Sequence, residues 1–229
     1  MIKGIFFDAA GVLYCRATPT ADFALGMLKE AGYAIEIPAE DLAYLQALHA
    51  RASRGEMDHE AYWDQFLKKH GVEDSVTRIA FTTRIIAYSN EVSPVPGARE
   101  ALQELKRRGF LLGIVTDTMY PLEWKRRRLE KAGVAEFIDV IACSTDLGVH
   151  KPDPRIYLSA VQQANLVPVE SAFIGHLAIE LQGARAAGMV TVAVNFETGT
   201  QADHFCQSIS DLPDLPIFAD ISSQPEAGR

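Results

Sequence analysis

The sequence predicts an α/β fold, a Rossmann-like three-layer core built on a parallel sheet and interrupted by an all-α cap. Three observations predict it. Five short apolar runs, at 2–7, 110–116, 138–143, 172–175 and 190–195, each stop at a polar residue or glycine, as strands buried on both faces do. Amphipathic helical stretches separate the last four of them. Residues 16–92, in contrast, carry helical patterns alone. Strands joined by single helices imply right-handed crossovers and a sheet covered on both sides.

The elements follow in order. After the first run, helical patterns at about 20–31, 38–53, 58–70 and 75–89 are punctuated by Gly32, Pro38, Gly55 and Gly71. Phe23, Met27, Leu28 and Ala31 form one expected apolar stripe; Val76, Ile79, Thr83 and Ile86 form another. Tyr62, Trp63 and Phe66 read as the centre of this helical unit. Ser93, Pro94, Val95, Pro96 and Gly97 read as the return hinge, so the expected division is a core of 1–15 with 93–229 and a cap of 16–92. Ala98, Ala101, Leu102 and Leu105 then line one helix face, which Gly109 terminates. Pro121 opens a helix that Gly133 closes, and Pro154 opens another. The last residues, 222–229, read as a frayed tail.

Composition narrows the function. The 229 residues carry 22 Lys+Arg against 30 Asp+Glu, a formal charge of −8. That balance argues against nucleic-acid or anionic-membrane partners, which attract net positive charge. The run at 2–7 is far too short to span a membrane and ends at Asp8. Cys15, Cys143 and Cys206 are odd in number, far apart and without a CxxC pair, which points to the reducing cytoplasm. Lys125, Arg126, Arg127 and Arg128 read as a solvated helix face. Arg51 and Arg54 stand where a cap residue reaches a substrate, although most such arginines are simply solvated.

Parallel sheets bind ligands at the carboxyl ends of their strands. The residues placed there are Asp8, Thr116, Asp117, Ser144, His176 and Asn195. A carboxylate directly after a buried strand can act as a nucleophile, with nearby backbone N–H groups holding developing charge.

Asp8 after its strand, Thr116 after the second core strand, Lys151 in VHKPDP, and FIGHLAIELQGARAAGM with His176 and Glu180 at its head resemble, in that order, the haloacid dehalogenase superfamily. KPDPRIY and GARAAGM are especially close, and the likeness runs from residue 2 to about 221. The resemblance implies a small-molecule hydrolase with an anionic substrate. Asp8 would form a covalent aspartyl intermediate, Thr116 would hold the transferring group, and Lys151 would neutralise charge around the nucleophile. Tyr157, by likeness to the dehalogenase Lys–Tyr segment, would contact substrate alongside Ala10 and Asp117.

The sequence departs from the family's phosphatases at two places. Ala10 stands where they carry the general acid–base Asp, and His176 stands where they carry a Mg²⁺-binding Asp. An imidazole is a poor ligand for that hard cation. The cofactor expectation is therefore none, or a divalent metal held by Asp8, His176 and Glu180, with Mg²⁺ weakened. Phosphonoacetaldehyde hydrolases share Ala10, but none of the cap lysines (Lys29, Lys68, Lys69) sits in a matching motif. Phosphatase-like and dehalogenase-like chemistry both stay open, as does a catalytically silent relative that binds a ligand or partner in the same cleft.

Overall fold

The structure, a computed structural model, describes residues 1–219; the expected tail at 222–229 lies outside them. Gly4–Phe7 (β1), Leu111–Thr116 (β4), Val140–Cys143 (β5), Ser171–Gly175 (β6), Val190–Val194 (β7) and His204–Cys206 (β8) form one sheet, with Tyr14–Cys15 (β2) and Ser93–Pro94 (β3) outside it. The sheet order is β5-β4-β1-β6-β7-β8, and all its pairings are parallel. β1, whose four residues are all buried, is one of the two central strands.

Ile5 and Phe7 of β1 face one side, packed with Leu102 and Leu105 of α5 (Ala98–Arg107) and Leu129 of α6 (Leu122–Lys131). Phe6 points to the other side, among Tyr157 and Ala160 of α8 (Pro154–Gln163) and Leu181 of α9 (Ala178–Ala186). The period of two in the strand thus meets a helix layer on each face. Burying a residue such as Phe6 contributes about 1.5–3 kcal/mol.

Between β2 and β3 lie α1 (Thr20–Glu30), α2 (Ala39–Ser53), α3 (His59–Lys69) and α4 (Ser75–Ser89). They have an apolar centre of their own, which includes Leu28, Leu48, Trp63, Phe66 and Ile85. β2 and β3 pair antiparallel, so the outgoing and returning chains run side by side. Asp58 and Asp74 cap α3 and α4 by accepting from first-turn N–H groups.

Two expectations about this unit are corrected. The inner face of α4 is Thr82, Ile85 and Ser89, whereas Val76 and Ile79 are 72% and 67% exposed. β-Branched residues at helical spacing marked two possible faces, and packing against α3 chose the one with a polar residue at each end. Ala31 is exposed at the end of α1, and Ala24 takes its place in the buried stripe. Two further elements, β8 and α7 (Ser144–Leu147), were too short for a period to reveal.

Candidate active site

β1 delivers Asp8. Its N–H still bonds the Ile174 carbonyl at 2.9 Å, so the side chain stands at the strand end while its backbone is held by β6. The chain then turns sharply. Gly11 has φ 81°, and a Cβ there would come within 2.7 Å of the His176 ring. Only glycine both adopts that backbone and leaves room for the imidazole.

Lys151 arrives from the other direction, just before α8, where Asp153 caps the helix and Pro154 opens it. Its Nζ donates to Asp8 Oδ1 at 2.6 Å and lies 2.7 Å from Glu180 Oε1. Its backbone N–H donates to Asp117 Oδ1 at 3.1 Å. Asp8, Lys151 and Glu180 are all buried. Glu180 sits in the first turn of α9, where the helix N-terminus favours negative charge. Tyr157 fixes that turn by donating its hydroxyl to the Glu180 carbonyl at 2.8 Å. Tyr157, expected at the substrate, is therefore inside the core and braces the helix that carries Glu180. A hydroxyl spent on a backbone carbonyl, on a fully buried ring, has no face toward a ligand.

Charges in so dry a place shift one another. Burial opposes the Lys151 ammonium, but Asp8, Glu180 and Asp117 outweigh it and hold its pKa above the ordinary lysine value. Burial, then repulsion from Asp8, pushes Glu180 up to about 7 against the pull of Lys151. Burial also raises Asp117, with Lys151 opposing, and lowers His176, with Asp8 opposing. His176 Nδ1 lies 3.7 Å from Asp8 Oδ2, too long for a hydrogen bond. That nitrogen and Glu180 Oε2 are buried without partners. Asp8, His176 and Glu180 offer one ligand atom each within 4.8 Å of one another, a mixed nitrogen–oxygen set whose two carboxylates already share the Lys151 ammonium.

Thr116 is buried at the end of β4, its hydroxyl making a 3.4 Å contact with the Asp117 carbonyl. Ser144 braces the loop after β4, accepting from the Thr118 N–H at 3.0 Å. Asn195 reaches the Gly11 carbonyl at 3.4 Å and so steadies the turn after Asp8. Ala10 and Asp117 line a cavity of about 230 Å³ between the carboxyl end of the sheet and the helical unit. Tyr62 and Trp63 form part of its far wall, and Trp63 Nε1 donates to Tyr120 Oη at 3.1 Å across the gap. Arg51 and Arg54 are absent from that wall; Arg54 pairs with Glu56 at 2.6 Å.

The solvated reading of the basic run on α6 is corrected. Arg126 and Arg127 are exposed, but Lys125 and Arg128 are each only 3% exposed and line the cavity with Arg16. The stretch gave no signal of this, because the groups that receive these two cations come from distant segments. Lys125 donates to Tyr14 Oη at 2.9 Å, and Arg128 reaches Asn90 Oδ1 and Ser89 Oγ at 3.3 Å.

Comparison with known proteins follows the same lines. A family model described as haloacid dehalogenase-like hydrolase matches residues 2–188. A glyceraldehyde 3-phosphate phosphatase from Methanopyrus kandleri is 28% identical over 95% of this chain and 93% of its own. An (S)-2-haloacid dehalogenase 4A from Burkholderia cepacia is 31% identical over 56% of this chain and 54% of its own. A crystal structure of a dehalogenase superposes with a TM-score of 0.68 at 25% identity, covering 93% of this chain and 96% of that one. Among the described residues no helix is long and apolar enough to cross a membrane. With its parallel sheet, helical insertion and strand-end aspartate, this chain belongs to the haloacid dehalogenase-like hydrolases.

Proposed function

We propose that this protein is a metal-independent hydrolase that uses Asp8 to displace a leaving group needing no proton, as a 2-haloacid presents. The observation that carries the reading is the Lys151 ammonium, 2.6 Å from Asp8 and 2.7 Å from Glu180. It supplies the positive charge that a metal would otherwise bring to the two carboxylates. The remaining donors do not suit Mg²⁺, which demands near-octahedral oxygen coordination. His176 contributes nitrogen, and one oxygen of each acid is already held by Lys151.

In this reading Lys151 holds Asp8 Oδ1, leaving Oδ2 to attack the carbon that bears the halogen. The new C–O bond forms as the C–halogen bond breaks, and the halide departs with the bonding electron pair. Glu180 then takes a proton from a water molecule, whose oxygen attacks Asp8 Cγ. The bond between Asp8 Cγ and the substrate oxygen breaks, Glu180 returns its proton to that departing oxygen, and the hydroxy acid leaves with Asp8 and Glu180 both restored. A carboxyl with a pKa near 7 is well matched to that proton transfer. Residues 16–92 act as a cap that shields the ester from bulk water.

A second reading, hydrolysis of a phosphate monoester, is favoured by the near full-length phosphatase relatives. It asks for a proton on a departing alkoxide, and Ala10 has none to give. The test is turnover of 2-chloropropionate and p-nitrophenyl phosphate, each with EDTA or with added Mg²⁺. The expected result is dehalogenation that EDTA leaves unchanged and that Asp8→Asn abolishes. Phosphate release that requires Mg²⁺ would overturn it in favour of the second reading. Turnover of neither compound would favour a silent binding protein.

A further inference from the structure

We propose that Tyr14, Arg16, Lys125 and Arg128 form a second subsite that takes an anionic oxygen group, carboxylate or phosphate, on a part of the substrate other than the one Asp8 attacks. This rests on the cavity being the substrate cleft of the hydrolase described above, and it adds what that substrate must carry.

Lys125 is the centre of the argument. It is 3% exposed, yet its hydrogen bond is to a neutral phenol, Tyr14 Oη, at 2.9 Å. An ammonium has three protons to donate, and buried charges are ordinarily paired with opposite ones. Arg16 donates twice to the Ser89 carbonyl, at 3.0 and 2.6 Å, and Arg128 bonds an amide and a hydroxyl oxygen. Aromatic faces complete the setting: Lys125 lies 5.6 Å and Arg16 6.0 Å from the Tyr14 ring centre, and Arg128 4.8 Å from that of Tyr120. Neutral oxygens and ring faces hold these cations in place without cancelling their charge. The carboxylate lining this cavity, among the described residues, is Asp117, which accepts from the Lys151 amide.

Such a wall is incomplete without a negative group, and the cavity has room for only a small one. At about 230 Å³ it lies below the ~300–1,000 Å³ of sites for drug-sized ligands. Tyr62 and Trp63 also line the cavity, so the part of the substrate beside them is apolar.

The test begins with binding, which needs no turnover. Glutarate, 3-phosphonopropionate and butyrate are titrated calorimetrically into the natural protein and into Lys125→Met, Lys125→Arg and Arg126→Met. One lost charge-assisted contact corresponds to about a tenfold change in affinity. The natural protein, Lys125→Arg and Arg126→Met should bind one of the two dianions about tenfold more tightly than butyrate. Lys125→Met should lose that preference while circular dichroism shows it folded. Equal affinity for all three acids in the natural protein, or an undiminished preference in Lys125→Met, overturns the subsite. A kinetic arm compares 2-chloroglutarate with 2-chlorobutyrate. A lower KM for the diacid in the natural protein, lost in Lys125→Met, supports the proposal. Failure to turn over either compound sinks the hydrolase reading alone, because the titrations still decide the subsite.

Discussion

Two buried clusters, one at the carboxyl end of the sheet and one in the cavity beside Ala10 and Asp117, hold charge in opposite ways. At the sheet end, Lys151 sits between Asp8 and Glu180 at 2.6 and 2.7 Å, so each buried charge has an opposite one in contact. In the cavity, Arg16, Lys125 and Arg128 have, among the described residues, neutral oxygens and aromatic faces as partners. In the first arrangement Lys151 holds one oxygen of Asp8 and one of Glu180, the proposed nucleophile and proton acceptor, whether or not anything is bound. The second is completed only by a negative ligand. In the proposed reading, the cluster of mixed sign is where bonds change, and the cluster of a single sign is where a substrate is held.

Removing the nucleophile should break the sheet end most completely. Asp8→Asn should lower turnover on the order of 10³–10⁶-fold, since no other group replaces a missing nucleophile. Steady-state assay checks this, and a rate within tenfold of the parent would remove Asp8 from the chemistry. Lys151→Met comes next, because it leaves two carboxylates buried against each other. Breaking a buried pair costs about 3–5 kcal/mol, so chemical denaturation should show a loss of that order together with the fall in rate. The equivalent Lys125→Met change in the cavity should cost much less stability, since it strands no carboxylate. Equal losses in the two clusters would erase the contrast between them.

The pH profile separates the clusters further. Glu180, raised to about 7, is protonated below that value and cannot accept a proton from water. The turnover rate should therefore fall as pH drops through about 7, the limb belonging to the coupled Asp8–Lys151–Glu180 group as a unit. Glu180→Gln should remove that limb along with most of the activity. A profile flat from pH 6 to 8 in the parent would contradict the assignment. The smallest effect expected is at the join between sheet and cap. Tyr120→Phe deletes the oxygen that accepts from Trp63 Nε1, which should cost roughly 1–3 kcal/mol by leaving that donor buried and unpaired. A thermal melt of the variant measures it, and an unchanged midpoint would show that the contact does not hold the cap.

How much of this was legible in the sequence follows from the same contrast. Asp8, Thr116, Lys151 and Glu180 can be placed from the chain because each stands at the end of an apolar run or the start of a helix, and parallel sheets gather those ends together. The six-residue run at Leu111–Thr116 was readable, while the three residues of His204–Cys206 were too few to show a period. Lys125 and Arg128 were read as solvated because charge on a helix ordinarily faces water. Their actual surroundings, Tyr14, Ser89 and Asn90, come from two other parts of the chain and leave no trace in local spacing. Tyr157 is a related case: its position in KPDPRIY is readable, but its burial with the hydroxyl on the Glu180 carbonyl depends on α9. Val76 and Ile79 show that a helical period identifies possible faces, and only the neighbouring helix selects one.

The central claim is that Asp8 itself is alkylated without a metal. Glu180→Gln protein should form the ester and be slow to hydrolyse it, because the water-activating carboxylate is gone. Peptide mass spectrometry of that variant, stripped with EDTA and mixed with 2-chloropropionate, reads the intermediate directly. The account predicts a mass increase of one carboxyethyl group on the peptide that contains Asp8, with one chloride released per modified chain. An unmodified Asp8 peptide under these conditions, with a phosphoryl adduct formed instead from a phosphate ester and Mg²⁺, would contradict it.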